Sequence, residues 1–144
     1  MTVLAFLQNQ WVRDPARVRA LIERYGESYR RRLIAYALFA GCASGRNLKT
    51  AFGEELCRLI TWEEASREVT GDPRACPPAD PVHIAAALKD RAPDIVICFG
   101  RIAADAVMPL WTGKLILAPH PAARQPDTMD RLRHAATELQ KMLT

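Results

Sequence analysis

The sequence lacks any long hydrophobic run. None of its apolar stretches reaches the roughly 18 residues that a membrane-spanning helix requires. Its first residues have no basic segment ahead of an apolar one, so a secretory signal is not expected. The chain of 144 residues is 49% hydrophobic and 25% charged, which suits one globular domain over residues 1–144 with a core of its own. We therefore expect a cytoplasmic protein without a membrane partner.

Residue patterns that hold metals, clusters or nucleotide phosphates are also missing. The four cysteines lie far apart without a CxxC pair, which indicates reduced thiols. The three histidines show no metal-ligand spacing. Neither GxGxxG nor GxxxxGK[ST] occurs, so a flavodoxin-like nucleotide-binding domain lacks its phosphate-binding motif. We expect neither a metal nor a cofactor.

Positive charge, in contrast, is plentiful in one part of the chain. The net charge is +4, but residues 11–50 alone hold nine Lys and Arg against three acids, or +6. Residues 51–72 hold six acids against two arginines, or −4. A basic surface of this kind attracts phosphates. A solvated helix face is the alternative interpretation of the same pattern.

Short apolar runs alternate with amphipathic segments along the chain. The predicted strands are 3–7, the last residues of 56–62, 94–99 and 115–118. The predicted helices are 15–25, 27–39, 44–52, 81–91, 101–109 and 127–143, with Gly26 as a break, Ser44 as a cap and Gly53 as an end. Residues 66–81 are predicted to form a loop. This alternation predicts an α/β fold, a three-layer α/β/α sandwich with a short, mainly parallel four-stranded sheet.

Polar residues follow each predicted strand. In parallel sheets the ligand binds beyond the carboxyl ends of the strands. That edge would collect the residues that follow the four strands, namely Gln8-Asn9-Gln10, Trp62-Glu63-Glu64, Gly100-Arg101 and His120. The pattern predicts a site there without naming a reaction.

The stretch "LILAPHPAAR" places one histidine between two prolines. Pro119 and Pro121 restrict the backbone around His120. A ring held in this way loses little freedom when it donates an N–H, and a neutral imidazole is able to donate. The alternative is a turn histidine without a role.

Three blocks of sequence resemble the uracil-DNA glycosylase superfamily. The clearest contains "LITWEEAS", "GDPRACPPADPVHIAAAL", "DRAPDIVICFGRIAADAV" and "KLILAPHPAAR", and is similar to the family 4 and 5 enzymes. "CASGRNLKTAFG" resembles the loop and helix before the second strand, and "FLQNQW" occupies the place of the first motif. The resemblance covers residues 3–11 and most of the chain beyond residue 40.

Three features depart from that family. The first motif lacks its Gly and Pro, because Gln8 and Gln10 flank Asn9. Trp62 stands where the family often has an asparagine that reads the base edge, and the amino-terminal cysteines of an iron–sulfur cluster are missing. These departures keep open a catalytically inactive protein of the same fold that binds DNA or a nucleotide.

The resemblance and the chemistry of glycosidic cleavage assign roles to individual residues. His120 would stabilise the departing base and Asn9 would orient the attacking water, so these two are the predicted catalytic residues. Gln8 and Gln10 are alternatives for the contact with the water. The predicted base-binding residues are Gln8, Gln10, Trp11, Phe39, Trp62 and Glu63. Trp11 and Phe39 would stack on the base, while Glu63 would accept from an exocyclic amine.

A second set of residues is expected to hold DNA phosphates. Its members offer guanidinium groups or the N–H groups of a helix start. They are Ser44, Gly45, Arg46, Arg101 and Arg124. The resulting expectation is a monomeric, monofunctional DNA glycosylase that acts on uracil or a modified pyrimidine, flipped out of single- or double-stranded DNA.

Overall fold

The computed structural model describes residues 1–144, except that the side chain of Gln10 lies outside the described part. Its strands are β1 (Val3–Leu7), β2 (Gln10–Trp11), β3 (Ile60–Glu64), β4 (Val69–Thr70), β5 (Ile95–Phe99) and β6 (Lys114–Ala118). Its helices are α1 (Pro15–Phe39), α2 (Ala43–Leu59), α3 (Pro81–Arg91), α4 (Arg101–Val107) and α5 (Thr128–Leu143), and a short 3-10 helix spans Met108–Leu110.

The main sheet has four strands in the order β3-β1-β5-β6, and every neighbouring pair is parallel. This confirms the predicted α/β class with its parallel four-stranded sheet. The structure also pairs β2 with β4 in a small parallel sheet, and β4 lies within residues 66–81, where the sequence predicted a loop. Within the described residues, no helix is both long and apolar enough to cross a membrane.

The two faces of the sheet are covered by different helices. Val3, Ala5 and Leu7 point to a core made with α1, α2 and α5. Leu4 and Phe6 point to a second core made with α3 and α4. Because both faces are buried, the two central strands β1 and β5 are apolar along their whole length, which is why the sequence shows them as continuous apolar runs.

Two predicted helix ends are kinks instead. Gly26 has a φ of 84° and Gly53 a φ of 81°, a left-handed region that glycine adopts at little cost. The helical path resumes after each, so α1 extends through Gly26 and α2 extends past Gly53 to Leu59. The cap of α2 is Cys42, whose Sγ accepts the Gly45 N–H at 3.5 Å, and not Ser44 as predicted. The following strand accordingly begins at Ile60.

Gly45 sets the distance between α1 and α2. A Cβ added at Gly45 would lie 1.6 Å from the carbonyl oxygen of Leu38. This oxygen belongs to the helix backbone, so it cannot move away by a change of side-chain rotamer. Gly45→Ala is therefore expected to lower the free energy of unfolding by about 1–3 kcal/mol or more, measured by urea denaturation. Ser44→Ala, one residue earlier, is the control and should change it by less than about 0.5 kcal/mol. Equal stability of the two variants would contradict this close crossing.

Candidate functional site

The strand order places a topological switch point between β1 and β5. From β1 the chain moves outward to β3, then returns across β1 to β5 and continues to β6. The connections after β1 and β5 therefore lie on opposite faces of the sheet, and such a divergence opens a crevice at the carboxyl ends of the strands. Gln8 and Asn9 follow β1 at this edge, and Gly100 follows β5.

His120 lies directly beside Gly100. The Gly100 N–H donates to the Ala118 carbonyl at 2.8 Å, which continues the β5–β6 pairing beyond the strands. A Cβ at Gly100 would lie 3.3 Å from the His120 Cβ, and Gly100 has a φ of 90°. Glycine is therefore favoured at this position by its conformation and by the close histidine. The predicted neighbourhood of the residues after β5 and β6 is confirmed.

The His120 ring has a defined hydrogen-bonding partner. The Ala122 N–H donates to Nδ1 of His120 at 3.1 Å. Since Nδ1 accepts, the proton of the neutral ring resides on Nε2, which becomes a donor. Burial lowers the pKa of His120, so the neutral form prevails at neutral pH.

The turn that carries His120 is tied to α2. The side-chain amide of Asn47 donates from Nδ2 to the Pro121 carbonyl at 2.8 Å. The first turn of α2 therefore lies next to the His-Pro turn, and the adjacent Arg46 belongs to the same neighbourhood. The sequence singled out Ser44, Gly45 and Arg46 in this helix but missed Asn47, whose role depends on a contact 74 positions away.

The residues after β1 are placed at the sheet edge as predicted. Gln8 and Asn9 are half-buried, and the Ser66 N–H donates to the Gln8 carbonyl at 2.9 Å. The Gln10 side chain lies outside the described residues. Trp11 belongs to β2, and the residue is 46% exposed, which leaves area for stacking. The roles of these residues toward a base stay predictions.

Trp62 belongs to the core, and the half-buried Phe39 packs against it. Trp62 is 3% exposed, and its indole Nε1 donates to the Cys57 carbonyl at 3.0 Å. Its ring lies 5.5 Å from Phe39, edge to face, and 5.8 Å from Phe99, stacked. This placement gives Trp62 a packing role, and together with Phe39 it lines a cavity of about 270 Å³.

Glu63 is the centre of a buried charged network. Its Oε1 accepts from Arg30 Nη2 at 2.5 Å, from the Glu64 N–H at 2.9 Å and lies 3.1 Å from His83 Nε2. Arg30 Nε also contacts Glu27 at 2.9 Å. Burial alone would raise the pKa of Glu63, but the His83 hydrogen bond and the Arg30 charge hold it below its ordinary value. An oxygen so engaged is a poor acceptor for a base amine.

The network lies at one edge of the main sheet. β3 is an edge strand, with α1 on one face and α3 on the other. Arg30 reaches Glu63 from α1 and His83 reaches it from α3. A cleft of about 480 Å³ lies beside them. The sequence did not predict this cluster. Arg30 lies four positions before the buried Ile34 on the apolar side of α1, and an arginine on such a side indicates that it has a buried acidic partner.

The Glu64 carboxyl group is buried beside the network, to which Glu64 contributes its backbone N–H. The residue is 5% exposed, and its Oε2 has no hydrogen-bond partner among the described residues. Burial and the nearby charge of Glu63 raise the pKa of Glu64 to about 8, although Arg30 opposes this shift. The neutral acid is therefore the form that the fold accommodates at neutral pH.

The predicted phosphate-binding residues differ in availability. The Gly45 N–H is used by Cys42, and the Arg46 guanidinium bonds the Gly41 carbonyl. The Arg101 side chain is 92% exposed, with Asp105 3.6 Å away, and Arg124 is exposed after the His-Pro turn. All three predicted arginines are thus exposed, and the guanidinium of Arg46 is bonded to the Gly41 carbonyl.

Comparison with known proteins adds no relative: no protein-family model and no curated protein matches this sequence. Among the described residues, no group of three or more His, Cys, Asp or Glu is arranged to hold a metal ion. The functional conclusion depends on the geometry of the sheet edge.

Proposed function

We propose that this protein is a monofunctional DNA glycosylase that hydrolyses the N-glycosidic bond of uracil or a modified pyrimidine. The observation that carries the proposal is the fixed tautomer of His120. Its Nδ1 accepts the Ala122 N–H, so Nε2–H is a directed, uncharged donor at the carboxyl edge of the sheet. Arg101 and Arg124, which precede and follow His120 in the sequence, are exposed. Their guanidinium groups are suited to bind the phosphates of DNA.

The reaction has simple requirements that these residues meet. The base leaves the stack, and the bond between C1′ and the ring nitrogen breaks with its electron pair moving to the base. His120 Nε2–H donates to the carbonyl oxygen on which that charge develops. Water held by Asn9 adds to C1′ and loses a proton to solvent. Asn9 orients the water but is a weak base, so the rate would be modest.

The activity is tested directly with labelled oligonucleotides. Substrates carry uracil, hypoxanthine, xanthine or a 5-modified pyrimidine, and abasic sites are then cleaved by alkali. We expect strand cleavage for uracil or a modified pyrimidine. If none of these bases yields an abasic product, the proposed activity is excluded.

Removal of the His120 donor is expected to be costly. His120→Ala should lower kcat about 100-fold, which is typical for the loss of one donor to a developing oxyanion. His134→Ala, in an exposed position on α5, is the matched control and should retain the activity of the unchanged protein. Full activity of His120→Ala would remove the assigned role.

A second candidate function is supported by Trp62. Its ring fills the core at the position where the resemblance expects a base-reading amide, which favours a catalytically inactive protein that binds DNA or a nucleotide. Measurable DNA binding without an abasic product would identify this alternative.

A further inference from the structure

All three tyrosines of the protein lie on one exposed side of α1. Tyr25, Tyr29 and Tyr36 line a groove of about 480 Å³ together with Arg32 and Leu33. Tyr36 is 74% exposed and Tyr25 is 54% exposed. We call these five residues the tyrosine groove.

This side of α1 is not required for the core. Ile34 and Leu38, on the opposite side of the helix, are buried against the sheet. Aromatic rings normally bury most of their area, so a contiguous exposed set indicates a contact surface. The tyrosine groove therefore represents an aromatic surface that the fold itself leaves uncovered.

The charge around the tyrosine groove is positive. The Arg24 guanidinium lies 5.3 Å from the centre of the Tyr25 ring, and Arg32 lines the groove. Of the described residues that line it, none is acidic. The nearby Glu27 carboxylate is engaged by Arg30 and Arg67. A fitting partner consequently combines negative charge with flat, stackable rings.

From these contacts we infer that the tyrosine groove binds single-stranded nucleic acid. Unpaired bases stack on aromatic rings regardless of sequence, and arginines contact the phosphates. Tyr29 and Tyr36 are separated by about 10 Å along the helix axis, whereas the Tyr25 and Tyr29 rings are 5.1 Å apart and inclined by 52°. The rings thus form a row and are not stacked flat on each other. This inference does not depend on the chemistry of His120.

The test uses fluorescence anisotropy with a labelled oligothymidylate of about 15 nucleotides. It offers no uracil or modified base, so binding is measured without the proposed reaction. Tyr36→Ala and Tyr25→Ala should each weaken binding about tenfold, and Tyr36→Phe should retain it, because the ring remains. Leu110→Ala, an apolar residue that is 42% exposed elsewhere, is the control.

Salt dependence tests the arginines separately. Replacing Arg24 and Arg32 together by glutamine should reduce the slope of log affinity against log salt by about 0.7 for each lost phosphate contact. Arg58→Gln, with an exposed side chain on α2, should leave the slope unchanged.

Two results would overturn the inference. The first is oligothymidylate binding that is absent or unaffected by both tyrosine variants. The second is a concentration-dependent dimer, seen by analytical ultracentrifugation, that Tyr36→Ala abolishes while no nucleic acid binds. Neither result bears on abasic-site formation, so failure here and failure of the proposed glycosylase remain distinguishable.

Discussion

Arg30→Met is expected to lower the free energy of unfolding by about 3–5 kcal/mol, because it leaves the Glu63 carboxylate buried without its cation. The Arg30 side chain is 4% exposed and that of Glu63 is 1% exposed, with 2.5 Å between Nη2 and Oε1. Burial leaves the Glu63 carboxylate poorly solvated once the guanidinium is lost. His83 would still contact Glu63, but it is held 3.1 Å away and reaches only one oxygen.

The measurement is urea unfolding at neutral pH, followed by circular dichroism. Arg58→Met is the matched control, because Arg58 and Glu54 form an exposed pair at 2.8 Å, which contributes little. Adding Glu63→Gln to Arg30→Met should recover part of the loss, since no uncompensated charge then remains. A loss no larger than that of Arg58→Met would contradict the structural role of the pair.

Glu64→Gln is expected to remove a large pH dependence of stability. The pKa of Glu64 rises from 4.5 to about 8 on folding, so between these values the unfolded chain binds fewer protons than the folded one. Stability then falls as pH rises, by about 1.4 kcal/mol per unit, or about 4 kcal/mol between pH 5 and pH 8. Glutamine resembles the protonated acid and carries no such penalty.

Urea unfolding of both proteins at several pH values isolates this effect. Near pH 5 the two stabilities should be similar, and by pH 8 the variant should be the more stable by several kcal/mol. Glu55→Gln, at an exposed position on α2, is the control and should track the unchanged protein at every pH. The pKa of the adjacent Glu63 is shifted downward, so its contribution is instead lost in acid. Parallel curves for Glu64→Gln and the unchanged protein would rule out a neutral, buried Glu64.

Local patterns were sufficient for most of the fold. β1, α3 and α5 are found within one residue of their predicted limits, because an apolar run or an Asp-Pro start is encoded within a few residues. The β2–β4 pair was not predictable, since it joins Gln10 to Val69 across the chain. The sequence predicts helix ends at Gly26 and Gly53, where the structure has kinks. A glycine alone does not tell whether the next turn packs onto the same core.

The candidate site was only partly predictable. Topology correctly gathered the residues that follow β5 and β6, so Gly100 and His120 are neighbours. The surroundings of Trp62 and Glu63 were not predictable from the sequence. The side chains alternate along β3, so these two residues point to opposite faces of the sheet. Trp62 packs in a core, and Glu63 contacts Arg30 and His83. The partners that each face of β3 contacts come from helices that are distant in the sequence, so residues near β3 do not reveal them.

The central position of β1 has a consequence for biosynthesis. Phe6 lies beside Cys98 in the finished sheet, so this partner is made 92 residues later. At typical rates of translation that interval is roughly 5–20 s. During it, five consecutive apolar residues of β1 leave the ribosome ahead of the strands that will shield both of their edges. We expect a nascent chain that stops before β5 to engage chaperones, and one that extends beyond β6 to be released from them.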